Sequence, residues 1–100
     1  MKSSLAQLKP WISGAAVANT ADDAAFDGVS TDSRNVSANN LFVALRGERF
    51  DAHDFLDEVA AKGVAAVVVE RVPEGLKVPA LVVPDTRIAL GEIARFWRRQ

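Results

Sequence analysis

Three short apolar runs constrain this chain most: Leu41-Phe42-Val43-Ala44-Leu45, Val64-Ala65-Ala66-Val67-Val68-Val69 and Ala80-Leu81-Val82-Val83. None is interrupted by a charge, so none reads as a strand with one face in water; the pattern is that of strands covered on both faces. Between the first two runs, residues from about Asp54 to Lys62 carry a helical pattern, with Asp51 or His53 as cap, Phe55, Val59 and Ala60 as the inner stripe, and Gly63 as the stop. Strand, helix and strand in this span form a right-handed crossover with parallel strands.

The flanks extend that core. Ser3 or Ser4 can cap a short helix bearing Leu5, Leu8, Trp11 and Ile12, which Pro10 kinks or ends, and Gly14 then releases the chain into a strand over Ala15 to Ala18. Asn19 to Asp27 is polar and alanine-rich and reads as a loop; Gly28 to Thr31 reads as another strand. Pro73, Gly75 and Pro79 make Glu70 to Pro79 a turn, and Asp85 or Thr86 caps a final helix with Leu90, Ile93, Ala94 and Trp97 on one side. The expected architecture is α/β, a mixed, mainly parallel sheet with helices on both faces, and residues 1–100 form a single domain. The ending Phe-Trp-Arg-Arg-Gln leaves apolar surface around Phe96 and Trp97, as in a piece cut at a domain boundary.

Composition narrows the function classes. A formal net charge of −1 gives no basic surface for nonspecific nucleic-acid or membrane binding, and 49% hydrophobic residues argue against disorder. With no cysteine and one histidine, disulfides and thiolate metal sites are excluded and a zinc site is disfavoured. Lys2 and Ala16-Val17-Ala18 resemble parts of a signal peptide, but Lys9 and Pro10 break its apolar segment. No run approaches the roughly 20 apolar residues of a membrane span, and the working assignment is cytoplasmic.

Two polar loops flank the Leu41–Leu45 run, where an α/β sheet holds its ligands. In the first, Ser30, Thr31, Asp32, Ser33 and Arg34 can bind a polar ligand, with Arg34 free for an anion; alternatively, Asp32 closes an Asx-type turn and pairs with Arg34. In the second, Arg46, Gly47, Glu48, Arg49 and Phe50 offer close backbone approach, two cations and an aromatic face, which suits a nucleotide; alternatively, Gly47 is a turn residue and Phe50 a staple for the next helix. His53 with Asp51 and Asp54 has the elements of a general base, but adjacent residues at a helix start cap more often than they catalyse, so no catalytic residue is assigned. Asp22-Asp23 and Asp57-Glu58 read as solvated faces without metal-ligand spacing. Neither G-x-x-x-x-G-K-[ST] nor G-x-G-x-x-G occurs.

Thr31-Asp32-Ser33-Arg34, the run Leu41 to Phe55, the Ala-Val-Val-Val segment and Asp85-Thr86-Arg87-Ile88-Ala89-Leu90-Gly91 together resemble the N-terminal domain of the ATP-dependent Mur ligases of peptidoglycan synthesis. The likeness covers about Gly28 to Arg99 and leans to the branch that adds D-Ala-D-Ala over the sister branch that adds the third peptide residue. It implies that this domain holds the UDP end of UDP-MurNAc-tripeptide through Thr31, Ser33, Glu48, Arg49 and Phe50, with Ser30, Asp32, Arg34, Arg46 and Gly47 as secondary contacts. It also implies that ATP, Mg²⁺ and D-Ala-D-Ala are held by further domains, and that this piece has no cofactor of its own and is inactive alone. Two positions depart from the family pattern. Ala38-Asn39-Asn40 stands where Pro-Gly-Asp or Gly-Asp is common, and Ala52 where a glycine is common, which puts the placing of His53 in question if that glycine needs positive φ. A competing reading is a stand-alone α/β domain that docks a protein partner on the Trp97 helix.

Overall fold

The computed structural model describes residues 2–20, 23–47 and 51–99. Its centre is a five-stranded sheet of order β2-β7-β6-β5-β4, with β2 at Ala16–Ala18, β4 at Val29–Ser30, β5 at Leu41–Val43, β6 at Ala66–Val69 and β7 at Ala80–Val82. Strands β4 to β7 are parallel and β2 lies antiparallel on β7, so the sheet is mixed and mainly parallel as expected. Helix α1 (Leu5–Leu8), helix α2 (Leu56–Ala61) and helix α3 (Thr86–Arg98) cover it.

The apolar runs face both ways because alternate residues of a strand point to opposite sides. Leu41, Val43, Ala66, Val68, Leu81 and Val83 pack with residues of α1 and α3, whereas Phe42, Ala44, Val67, Val69 and Ala80 pack with Leu56 and Val59 of α2. Each fully buried Val or Leu contributes roughly 1.5–3 kcal/mol of transfer free energy. Two covered faces are what three uncharged runs demand.

Pro10 ends α1 as anticipated: the chain tightens into a 3-10 turn at Lys9–Trp11, where the missing proline N–H costs no helical bond. Ser4 is the cap, its hydroxyl accepting from the Gln7 N–H at 3.3 Å. Gly63 follows α2 at φ +82, the left-handed stop. Asn39 sits at φ +71, so asparagine takes the turn that the family often gives to glycine. Ala52 is buried in a 3-10 turn at Ala52–Phe55 and is not among the described positive-φ residues, so its side chain costs the loop nothing.

Several expectations are corrected. Residues expected to be a loop contain β3 (Ala25–Asp27), which pairs antiparallel with β1 (Lys2–Ser4) ahead of α1. Three-residue strands are too short to show a period, and what fixes β3 is Phe26, 3% exposed and stacked on Trp97 at 6.0 Å. In α2 the buried residues are Leu56 and Val59, with Phe55 and Ala60 only partly covered. In α3 the buried residues are Thr86, Ala89, Ile93 and Phe96, and of the expected stripe Leu90, Ile93 and Trp97 do pack on that core while Ala94 does not. Phe96 is therefore buried and Trp97 packs within the chain, against Phe26 and the edge of Phe96. The phenyl ring takes the interior, the larger indole lies partly buried beside it, and Ala94 is left exposed.

Candidate functional site

Because β4 to β7 run in one direction, the segments that follow them emerge at one edge of the sheet. That edge carries the Thr31–Arg34 loop, the loop after Leu45, Glu70 after β6 and Asp85 after β7. Carboxyl edges of parallel strands are where open α/β sheets hold ligands, since the backbone groups there are released from the ladder.

The first loop is built by its own side chains. Asp32 Oδ1 accepts from the Arg34 N–H at 2.9 Å and from Arg34 Nε at 3.3 Å, Asp32 Oδ2 accepts from Asn35 Nδ2 at 3.2 Å, and Ser30 Oγ accepts from the Asp32 N–H at 3.2 Å. This is the Asx-type turn, with Arg34 paired to Asp32. Those bonds, led by the one from the Arg34 N–H, hold the Asp32 carboxyl below its ordinary range. Ser30, Asp32 and Arg34 thus shape the loop, while the Thr31 and Ser33 hydroxyls lie outside the bonds that close it. Lys62 Nζ ties the loop to the end of α2 through the Ser33 carbonyl at 2.6 Å. Thr31 to Arg34 line a cleft of about 550 Å³ together with Phe55 and Glu58. The sequence had placed those two on the inner stripe and a solvated face; their i, i+3 spacing on one helical face was the available signal.

The second loop is closed at its base. Arg46 and Asp51 form an antiparallel bridge, and the Ala52 N–H donates to the Leu45 carbonyl at 2.8 Å. Glu48, Arg49 and Phe50, the expected contacts in this loop, lie outside the described residues. Arg46 and Gly47 line a separate cleft of about 270 Å³ with Glu70, Asp85 and Arg87. The two loops therefore share an edge, but their described residues line different clefts.

His53 is only 4% exposed. Its Nε2 accepts from the Glu70 N–H at 2.9 Å, which leaves the proton on Nδ1, and Nδ1 donates to Asp51 Oδ1 at 2.6 Å. With both ring nitrogens committed, His53 has no free base position, so a general-base role has no support in this geometry. Asp51 is the cap, its Oδ1 accepting from the His53 N–H at 2.9 Å, and its Oδ2 accepts from Arg71 Nη2 at 3.1 Å. Burial pushes the Asp51 carboxyl up, but the bonds from the His53 backbone and ring and from Arg71 together bring it down to about 2.

Glu70, read from sequence only as the start of a turn, joins three elements. Its Oε1 accepts from Arg46 Nε at 2.8 Å, and its Oε2 accepts from the Thr86 N–H at 3.0 Å and the Thr86 hydroxyl at 3.2 Å. Burial raises the Glu70 carboxyl, and the Thr86 and Arg46 bonds outweigh it and hold it low. Asp85 caps the next N–H groups of α3, at Arg87 and Ile88. Asp23 is likewise no idle surface acid: its Oδ1 accepts from the Ala6 N–H at the start of α1 at 2.9 Å. Among the described residues no group of acids and histidine could hold a metal ion, and no helix is long and apolar enough to cross a membrane.

A mainly parallel sheet with polar, hydrogen-bonded loops gathered at its carboxyl edge defines a class, the small α/β domain with its loops at the edge where open sheets hold ligands. The model described as "Mur ligase family, catalytic domain" matches residues 25–98. The UDP-N-acetylmuramoyl-tripeptide--D-alanyl-D-alanine ligase of Escherichia coli is 50% identical over 78 residues, covering 78% of this chain and 17% of that protein. The UDP-N-acetylmuramoyl-L-alanyl-D-glutamate--2,6-diaminopimelate ligase of Aquifex aeolicus is 48% identical over 67 residues, covering 67% of this chain and 14% of that protein. A solved UDP-N-acetylmuramoylalanyl-D-glutamyl-2,6-diaminopimelate--D-alanyl-D-alanyl ligase from Acinetobacter baumannii superposes over 100% of this chain and 22% of its own, with TM-score 0.84 and 35% identity. This chain belongs to the Mur ligase family. It spans less than a fifth of the length of the curated relatives it matches.

Proposed function

We propose that this chain is the N-terminal domain of an ATP-dependent ligase that adds D-Ala-D-Ala to UDP-MurNAc-tripeptide in peptidoglycan precursor synthesis, and that it holds the UDP end of that substrate. The observation that carries the proposal is the exit of both polar loops at the carboxyl ends of the neighbouring parallel strands β4 and β5. The contacts are the Thr31 and Ser33 hydroxyls and, in the second loop, Glu48, Arg49 and Phe50. Ser30, Asp32 and Arg34 hold the first loop in shape, and Arg46 and Gly47 belong to the base of the second. Bond formation, with ATP, Mg²⁺ and D-Ala-D-Ala, falls to the rest of the longer protein, and this piece alone turns nothing over. The names of the Escherichia coli relative and the Acinetobacter structure support that branch. The Aquifex relative favours a second reading, the same domain of the ligase that adds 2,6-diaminopimelate.

Titration of UDP and of UDP-MurNAc-tripeptide into the ¹⁵N-labelled chain tests the site. The amides of Thr31 to Arg34 and of residues 46–50 shift on binding, and Thr31→Val with Ser33→Ala weakens the response; unchanged amides in both loops at saturating ligand would refute the assignment. Supplying the longer protein with D-Ala-D-Ala or with diaminopimelate, each with its own UDP-linked acceptor, separates the two branches.

A further inference from the structure

Strand β5, which leads into the second loop, parts from its neighbour β6 a rung early. The Ala44 N–H donates to the Val68 carbonyl at 2.9 Å, and in a parallel ladder the matching rung runs from the Glu70 N–H to the Ala44 carbonyl. That N–H donates to His53 Nε2 instead. The imidazole thus takes the place of a backbone acceptor, and after the Ala44 N–H the chain leaves β6 to enter the loop.

The other ring nitrogen completes the device. Nδ1–H donates to Asp51, whose backbone is bridged to Arg46, whose Nε reaches Glu70, the residue whose N–H began the circuit. Arg71 holds the second Asp51 oxygen from the solvent side. The two links through the ring need the imidazole in one tautomer, with the proton on Nδ1, and the ring is sealed from water.

We infer that His53 is a positioning residue for the base of the second loop: it replaces a sheet rung, separates β5 from β6 at their carboxyl ends, and fixes Arg46, Asp51 and Ala52 where that loop begins and ends. Its link to ligand rests on the proposed nucleotide site; its grip on the loop does not. Long-range ¹⁵N spectra of the ring, loop amide shifts and UDP titration of wild type, His53→Leu and His53→Gln make the test. A glutamine Oε1 can accept the Glu70 N–H where Nε2 did, while leucine cannot accept at all.

The expected result is a ring protonated at Nδ1 alone, displaced amides at Arg46, Gly47, Asp51, Ala52 and Glu70 in His53→Leu, and recovery of the Glu70 amide in His53→Gln. UDP binding falls about tenfold in the leucine variant, the equivalent of one buried hydrogen bond, and less in the glutamine variant. A ring protonated at Nε2, a folded His53→Leu with unmoved loop amides, or UDP bound by wild type and by both variants with equal affinity overturns the inference. If His53→Leu does not fold, a Glu70 amide in His53→Gln shifted as for a lost bond overturns it equally. Displaced loop amides with no UDP response in wild type would sink the nucleotide site and leave the positioning role standing.

Discussion

Replacing Asp51 by asparagine keeps the shape of the side chain and removes its charge, so it isolates what the carboxylate contributes. Held at about 2 against an ordinary 3.8, the carboxyl corresponds by linkage to about 2.4 kcal/mol. The side chain is 26% exposed, and screening trims that to about 1.5–2 kcal/mol. The folded pKa is the lower one. The stabilisation is therefore complete above pH of about 4, where the unfolded carboxyl is ionised, and is lost as pH falls through about 2. Urea unfolding of wild type and Asp51→Asn at about pH 7, 4 and 2.5 measures the difference. The variant should be about 1.5–2 kcal/mol less stable at neutral pH, with the gap closing towards the acid end. A gap that stays constant with pH would refute the assignment of that energy to the carboxylate.

Two further substitutions probe the joints around this edge. Glu70→Ala strips the Thr86 N–H and hydroxyl of their acceptor at a position 0% exposed, and should cost about 2–3 kcal/mol in urea unfolding, with Glu70→Gln losing about half of that. The Arg46 pair adds little, since that arginine is 55% exposed; equal losses in the two variants would contradict the cap. Gly14→Ala should cost about 2–4 kcal/mol, because Gly14 sits at φ +70 and a Cβ there would meet Pro84 Cγ at 2.8 Å, a ring that cannot swing aside. A change in unfolding free energy below about 0.5 kcal/mol would show that this contact yields.

Local chemistry made much of the fold legible. The three uncharged runs read as strands buried on both sides, Pro10 was set to kink or end α1, Gly63 to stop α2, and Asp85 or Thr86 to cap α3, each decided by a handful of neighbouring residues. The Asx-type turn at Asp32 was equally local, as was Asn39 in its left-handed turn, and so the internal bonds of the first loop stood among the readings open from sequence, beside Arg34 free for an anion. What sequence could not show are the pairings of residues far apart along the chain. Glu70 capping α3, Asp23 capping α1, β1 lying against β3, and His53 standing in for a sheet rung leave no period and no motif. A helix N-terminus or a released backbone N–H accepts any carboxylate or imidazole lone pair that packing brings within reach, and only the folded sheet determines which one arrives. The same holds for α3, where two helical stripes were available and the burial of Phe96 beside the Phe26–Trp97 stack selected between them.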